Sequence, residues 1–134
     1  MSHLEPVLAA QAVLIIEDDE FMARLLAFIL TRQGGVVEIC RDGADAMALL
    51  SEECRWDAVL LDLMLPRCSG LEILRAMRSR PGWRDVTVLV VSALDKGEEI
   101  ARAFHAGADD FTTKPFNPDE LIARLARRLS TRGA

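Results

Sequence analysis

The chain has 134 residues, of which 51% are hydrophobic and 28% charged, and its formal net charge is −5. That length suits one domain and is short for two. No apolar run approaches the roughly 18 residues that would span a bilayer, and the acidic balance speaks against a nucleic-acid-binding surface, which is usually basic.

Met1-Ser2-His3-Leu4-Glu5-Pro6 lacks the basic start and long apolar stretch of a secretory signal, so the sequence reads as cytoplasmic, with no membrane partner. Cys40, Cys54 and Cys68 form no CxxC pair and are odd in number. Reduced, half-buried thiols are therefore expected rather than bridges or metal ligands. Arg124, Arg127, Arg128 and Arg132 cluster near the end, which reads as a solvated helix face with cations at the carboxyl terminus of the helix.

Residues 1–11 look like a flexible lead-in. Ala12 to Ile16 is a short apolar run rich in β-branched residues, stopped by Glu17-Asp18-Asp19, as a strand buried on both faces would be. Residues 20–33 show helical spacing in Phe21, Leu25 and Ile29, with Met22 and Leu26, and Gly34-Gly35 closes the helix. Val36 to Cys40 is a second strand, and Gly43 to Cys54 a second helix with Ala46, Leu49 and Leu50 inward. Asp57 to Leu61 is a third buried strand, ending at Asp62. A loop over 65–70 leads to a helix with Leu71, Leu74 and Met77, broken by Arg80-Pro81-Gly82. Val86 to Val91 is the fourth strand, a helix runs from Gly97 to Ala106, and Asp109 to Thr112 is a brief fifth strand. Asn117 is a fitting N-cap for the last helix, with Pro118 at its first position and Leu121, Leu125 and Leu129 as its buried stripe. Residues 131–134 form a tail.

Strand and helix alternate five times. The pattern implies an α/β fold in which a five-stranded parallel sheet is doubly wound, with helices on both faces. Ligands of such sheets bind outside the carboxyl ends of the strands. Glu17, Asp18 and Asp19 follow the first strand, Asp62 the third, Ser92 the fourth, and Lys114 the fifth. Each has an ordinary reading by itself. The acid triplet suits a helix start, Ser92 a cap, Lys114 a solvated lysine, and Asp62 a loop acid after a buried strand. Their convergence on one edge suggests chemistry instead. Carboxylates crowded in one pocket repel one another, and a hard cation such as Mg²⁺ offsets the repulsion. A carboxylate can also attack phosphorus, and phosphoryl transfer mainly asks for positioning and for cations around the moving oxygens.

Glu17-Asp18, Asp62-Leu63-Met64-Leu65-Pro66-Arg67-Cys68-Ser69-Gly70, Ser92-Ala93 and Lys114-Pro115-Phe116 occur in order. In this the chain resembles the receiver domains of bacterial response regulators, over about residues 12–130. Gly107 to Phe116 is similar to that family's fifth-strand signature almost residue for residue. The resemblance implies a flavodoxin-like three-layer α/β/α fold. It implies that Asp62 accepts the phosphoryl group and that Mg²⁺ is held by Asp18 directly, Glu17 through water, Asp62 and the Met64 backbone carbonyl. Ser92 and Lys114 would hold the phosphoryl group, Phe111 would stand in for the switch aromatic, and the Lys114–Pro115 bond would be cis. Ser92 replaces a commoner threonine and Glu17 an aspartate, both within the family's range. Implied partners are a sensor histidine kinase or histidine phosphotransfer protein, a downstream protein target, and a second copy docked through the fourth helix, fifth strand and fifth helix. That face is expected to present Glu98, Glu99, Arg102, Asp110, Arg124 and Arg128. Such a domain catalyses only its own phosphorylation and dephosphorylation.

Two rivals share parts of this pattern. A phosphatase of the haloacid dehalogenase type needs a second acid two residues after its nucleophile, and Met64 stands there. A flavodoxin-like flavin binder needs a phosphate-cradling loop after the first strand, where Glu17-Asp18-Asp19 would repel a phosphate. The initial Met and the lack of a linker lean towards a stand-alone receiver over one cut from a longer regulator with a DNA-binding or enzymatic output.

Overall fold

The structure is a computed structural model that describes residues 6–132. Its elements are β1 (Ala12–Ile16), α1 (Glu20–Arg32), β2 (Val36–Cys40), α2 (Gly43–Leu49), β3 (Ala58–Leu61), α3 (Gly70–Ser79), β4 (Thr87–Ser92), α4 (Gly97–Ala106), β5 (Asp110–Thr113) and α5 (Pro118–Arg132). All strand pairs are parallel, in the order β2-β1-β3-β4-β5. From β1 the chain steps to one side into β2, then crosses to β3 and continues away. The winding therefore reverses between β1 and β3, which is where an open parallel sheet leaves a crevice at its carboxyl edge.

β1, β3 and β4 lie inside the sheet and are buried on both faces almost without interruption, as their unbroken apolar runs require. Side chains of alternate parity feed two cores. Leu14, Ile16, Val59, Leu61, Val88 and Val90 pack on the side of α2, α3 and α4, whereas Val13, Ile15, Leu60, Leu89 and Val91 pack under α1 and α5. Leu121 and Leu125 are wholly buried from α5, the inner stripe that the sequence predicts. Asn117 Oδ1 accepts from the Glu120 amide at 3.1 Å and so caps α5. No helix among the described residues is long and apolar enough to cross a membrane.

Four expectations change. α1 turns a different stripe inward. Ala23, Leu26 and Leu30 are buried, while Phe21 is 73% exposed. The i, i+3, i+4, i+7 set that includes small Ala23 lets α1 lie closer to the sheet than a stripe headed by Phe21 would allow. The second helix ends at Leu49 rather than near Cys54. Packing starts before β1, because Leu8 is wholly buried and its amide donates to the Gln33 carbonyl at 2.9 Å, as the Ala10 amide does to Gly34 at 3.0 Å. Residues 6–11 are thus tied to the end of α1 instead of trailing; the rest of the lead-in lies outside the described residues. At the other end, α5 runs on to Arg132, through part of the expected tail.

The Trp56 and Trp83 rings meet at 5.5 Å between centroids. Trp56 lies just before β3, at the end of the sheet away from the acids, so neither tryptophan enters the acidic cluster, as expected. Cys40 and Cys68 are free thiols whose burial holds them protonated beyond the ordinary cysteine range.

Candidate phosphoryl-transfer site

Backbone hydrogen bonds carry each strand's pairing one residue past its end and so place the loops at the carboxyl edge. The Glu17 amide donates to the Cys40 carbonyl, Asp62 to Ile16, and Lys114 to Ser92, at 2.9 to 3.0 Å. The side chains that follow are thereby aimed out of the sheet top. Gly70 is required here for space, because a Cβ on it would lie 2.4 Å from the Asp62 carbonyl oxygen. Ser69 closes the same loop as the N-cap of α3, with Glu72 completing a reciprocal capping box.

The chain brings Glu17, Asp18, Asp62 and Lys114 together. Oxygens of the three carboxylates lie within 4.8 Å of one another. Lys114 Nζ donates to Glu17 Oε1 at 2.6 Å and to Asp62 Oδ2 at 3.0 Å. Asp62 Oδ1 accepts from the Met64 amide at 3.0 Å, and Glu17 Oε2 from the Asp19 amide at 3.1 Å. Glu17 and Asp62 are buried at 2% and 6% exposure, whereas Asp18 stands at the mouth, exposed. The Lys114–Pro115 bond is cis.

Electrostatics follow from this crowding. Burial pushes the Glu17 carboxyl above its ordinary range, and the charge of Asp62 adds to it, against the pull of Lys114 and of the Asp19 amide. Burial alone would lower Lys114, but its hydrogen bonds to Glu17 and Asp62 and their charges outweigh that and hold the ammonium above the usual lysine value. Three carboxylates facing one ammonium leave the pocket two negative charges in excess. Oxygen donors with that excess suit a hard divalent cation of the Mg²⁺ kind.

Ser92 is fully buried at the end of β4, with its Oγ accepting from the Leu94 amide at 3.4 Å. Phe111 is only 8% exposed and packs in the core on the α4 side. Without a hydroxyl the ring has nothing to gain from water, which suits this inward position. Asp110 differs from expectation. It is buried and paired with Arg124 at 3.1 Å, with Arg128 at 3.9 Å, rather than standing as a surface charge. The sequence assigns no role to Arg41, Asp42 and Arg67, which border the site across the chain. Arg41 and Asp42 sit outside every motif, Arg67 lies within the one that follows Asp62, and only the packing of the loops brings the three near one another.

The family model for the response regulator receiver domain matches residues 13–126. The chain is 42% identical over 123 residues to the sensory transduction protein RegX3 of Mycolicibacterium smegmatis, covering 92% of this chain and 52% of that protein. It is 35% identical over 119 residues to the DNA-binding response regulator MtrA of Mycobacterium tuberculosis, covering 89% and 50%. The chain thus spans about half the length of these curated relatives. Among solved structures, it is similar to the receiver domain of the sensor histidine kinase PA1611 from Pseudomonas aeruginosa, which has a magnesium ion coordinated in its active site cleft. The TM-score is 0.82 and the identity 28%, over 91% of this chain and 99% of that one. With a parallel sheet in this order, an acid cluster at its crevice and a family match across nearly all of it, the chain belongs to the response regulator receiver domains of two-component signalling.

Proposed function

We propose that Asp62 is the phospho-acceptor and that Glu17, Asp18, Asp62 and the Met64 backbone carbonyl hold Mg²⁺. The observation that carries this reading is the convergence of Glu17, Asp62 and Lys114 at hydrogen-bond distance from the ends of three strands, with Asp18 within reach. Mg²⁺, when bound, supplies charge that offsets the carboxylates and the incoming phosphoryl oxygens. A carboxylate oxygen of Asp62 attacks phosphorus while the bond from phosphorus to the donor nitrogen of a phosphohistidine protonated on its other ring nitrogen breaks, leaving neutral histidine and an acyl phosphate on Asp62. Lys114 balances the oxygens in flight, and Ser92 donates its hydroxyl to one of them. Water later attacks the same phosphorus, regenerating the Asp62 carboxylate and releasing inorganic phosphate. The domain performs no chemistry on any other substrate.

The donor is a sensor histidine kinase or a histidine phosphotransfer protein, and phosphorylation switches contacts with a downstream protein, without direct contact to nucleic acid and in the cytoplasm. A second reading is that this receiver works as one part of a longer regulator with a DNA-binding or enzymatic output. The half-length coverage of the curated relatives supports it. The decisive experiment is intact-mass measurement after incubation with acetyl phosphate. One phosphoryl group should be incorporated with Mg²⁺ and none with EDTA. Asp62→Asn should take up none, because an amide is no nucleophile, and equal uptake by the variant would refute the assignment.

A further inference from the structure

The turn Arg41-Asp42-Gly43 between β2 and α2 lies outside the cluster of acids and lysine, yet it touches both loops that carry the acids. Arg41 Nε donates to the Asp18 carbonyl at 3.1 Å. Asp42 pairs at 2.9 Å with Arg67 of the loop after Asp62, and its Oδ1 also accepts from the Ala44 amide at the start of α2. Arg67 is held at φ 71, a left-handed conformation that costs a non-glycine residue and persists only where surrounding contacts enforce it. A Cβ on Gly43 would meet the Cys68 carbonyl oxygen at 2.3 Å and that of Pro66 at 3.0 Å, so the loop lies directly on the turn.

Of the three acids, Asp18 is the exposed one, and among the described residues its carboxylate has no hydrogen bond or ion pair. Its placement therefore depends on its backbone, where two side chains grip the peptide that follows it: Glu17 accepts from the Asp19 amide and Arg41, from another loop, donates to the Asp18 carbonyl. We propose that Arg41 is a positioning residue for the cation site. Its hydrogen bond keeps the Asp18 carboxylate within reach of Glu17 and Asp62, and the Arg41-Asp42-Gly43 turn straps the two acid-bearing loops together. This inference rests on the cation-site reading above.

The sign of the effect separates positioning from charge. Arg41 is a cation beside a site for a cation, so by Coulomb repulsion alone its removal would tighten Mg²⁺ binding. Positioning predicts the reverse. The experiment is a Mg²⁺ titration of the full chain followed by amide NMR shifts at residues 17–19 and 62–64, on the wild type, Arg41→Ala and Arg41→Lys. Arg41→Ala should bind Mg²⁺ about tenfold more weakly, the lower end of what loss of an outer-shell partner costs, with its unfolding midpoint unchanged. Arg41→Lys, which keeps a donor of similar reach, should recover part of that loss. Equal or tighter binding by Arg41→Ala would overturn the positioning role, and so would an Arg41→Lys no better than Arg41→Ala. If the wild type itself shows no Mg²⁺ response at these amides, the cation-site reading fails and takes this one with it.

Discussion

At the scale of single residues, the site works by opposing burial against charge. Glu17 is more easily protonated in the folded protein than in the unfolded chain, where it titrates near its ordinary 4.5. The folded state therefore binds the extra proton, and stability falls as pH rises from that value through the raised one. Lys114 behaves oppositely at the alkaline end. Its raised value contributes stability that is complete below its ordinary 10.5 and lost as pH climbs through the raised value. In EDTA, Glu17→Gln should unfold at a higher temperature than the wild type at pH 7, since it removes a buried charge while Lys114 keeps Asp62. It should also lose the stabilisation, about 2.7 kcal/mol at roughly 100 times Kd, that Mg²⁺ gives a protein that binds it. A lower midpoint in EDTA would show that the Lys114–Glu17 bond outweighs the cost of burial.

Met64 is 55% exposed, two residues past Asp62, and Leu94, two past Ser92, is half-buried. Neither side chain can orient an attacking water by hydrogen bonding, and both, being apolar, would shield a phosphoryl group carried by Asp62. The phosphorylated state should accordingly be long-lived. Replacing the pair by Asn and Glu should speed loss of phosphate severalfold, as followed by phosphate release, and an unchanged decay would refute the shielding role.

At the scale of elements, each loop at the carboxyl edge is held by local chemistry that its sequence supplies. Ser69 and Glu72 cap α3 and Asn117 caps α5, whereas Gly107 ends α4 at the other edge at φ 117, where a side chain would also strike Arg78. The opposite edge has its own clasp. The Arg78 guanidinium donates to the carbonyls of Gly107, Arg84 and Val86 and to Asp109, tying α3 to the entries of β4 and β5. The segment before β1 belongs to the core through Leu8. Leu8→Ala should therefore cost about 2–5 kcal/mol in urea unfolding, as for any large aliphatic side chain removed from a packed interior. A change below about 0.5 kcal/mol would mean that the segment adds nothing to the fold.

At the scale of the whole molecule, the question is how the site speaks to the surface. A groove of about 520 Å³ runs between α4, β5 and α5, lined by Ile100, Phe104, Phe111, Pro115, Phe116 and Arg124 among others. Phe111 borders this groove from the core side, and its strand leads directly to Lys114. Asp110 is paired from within with Arg124 and Arg128, so what this face offers a partner or a second copy is the groove itself, lined by Thr112, Thr113, Asn117 and Glu120 as well as by its aromatic rings. Beryllofluoride, a mimic of the phosphoryl group, should alter amide exchange across residues 92–128 and shift sedimentation or partner affinity, by a bias of a few kcal/mol at most. An unaltered exchange pattern together with an unaltered assembly state would leave the face without a role in output.

The strand-helix alternation, the parallel sheet and the edge where the acids and Lys114 gather were all legible in the sequence. They follow from local patterns, namely apolar runs of strand length, caps and glycine stops, and polar residues placed where the runs end. Glu17, Asp62 and Lys114 could be named for the same reason, since parallel strands put all their carboxyl ends together whatever their order. The tertiary structure alone decided matters that depend on distance across the chain. Which stripe of α1 faces inward turned on how closely the helix approaches the sheet, which favoured Ala23 over Phe21. Whether Phe111 and Asp110 stand outside or inside turned on a groove and on two arginines from α5. The contacts of Arg41 with Asp18 and of Arg67 with Asp42 join residues 23 and 25 positions apart. No local pattern encodes such a pair, because it exists only once the sheet has set two loops side by side.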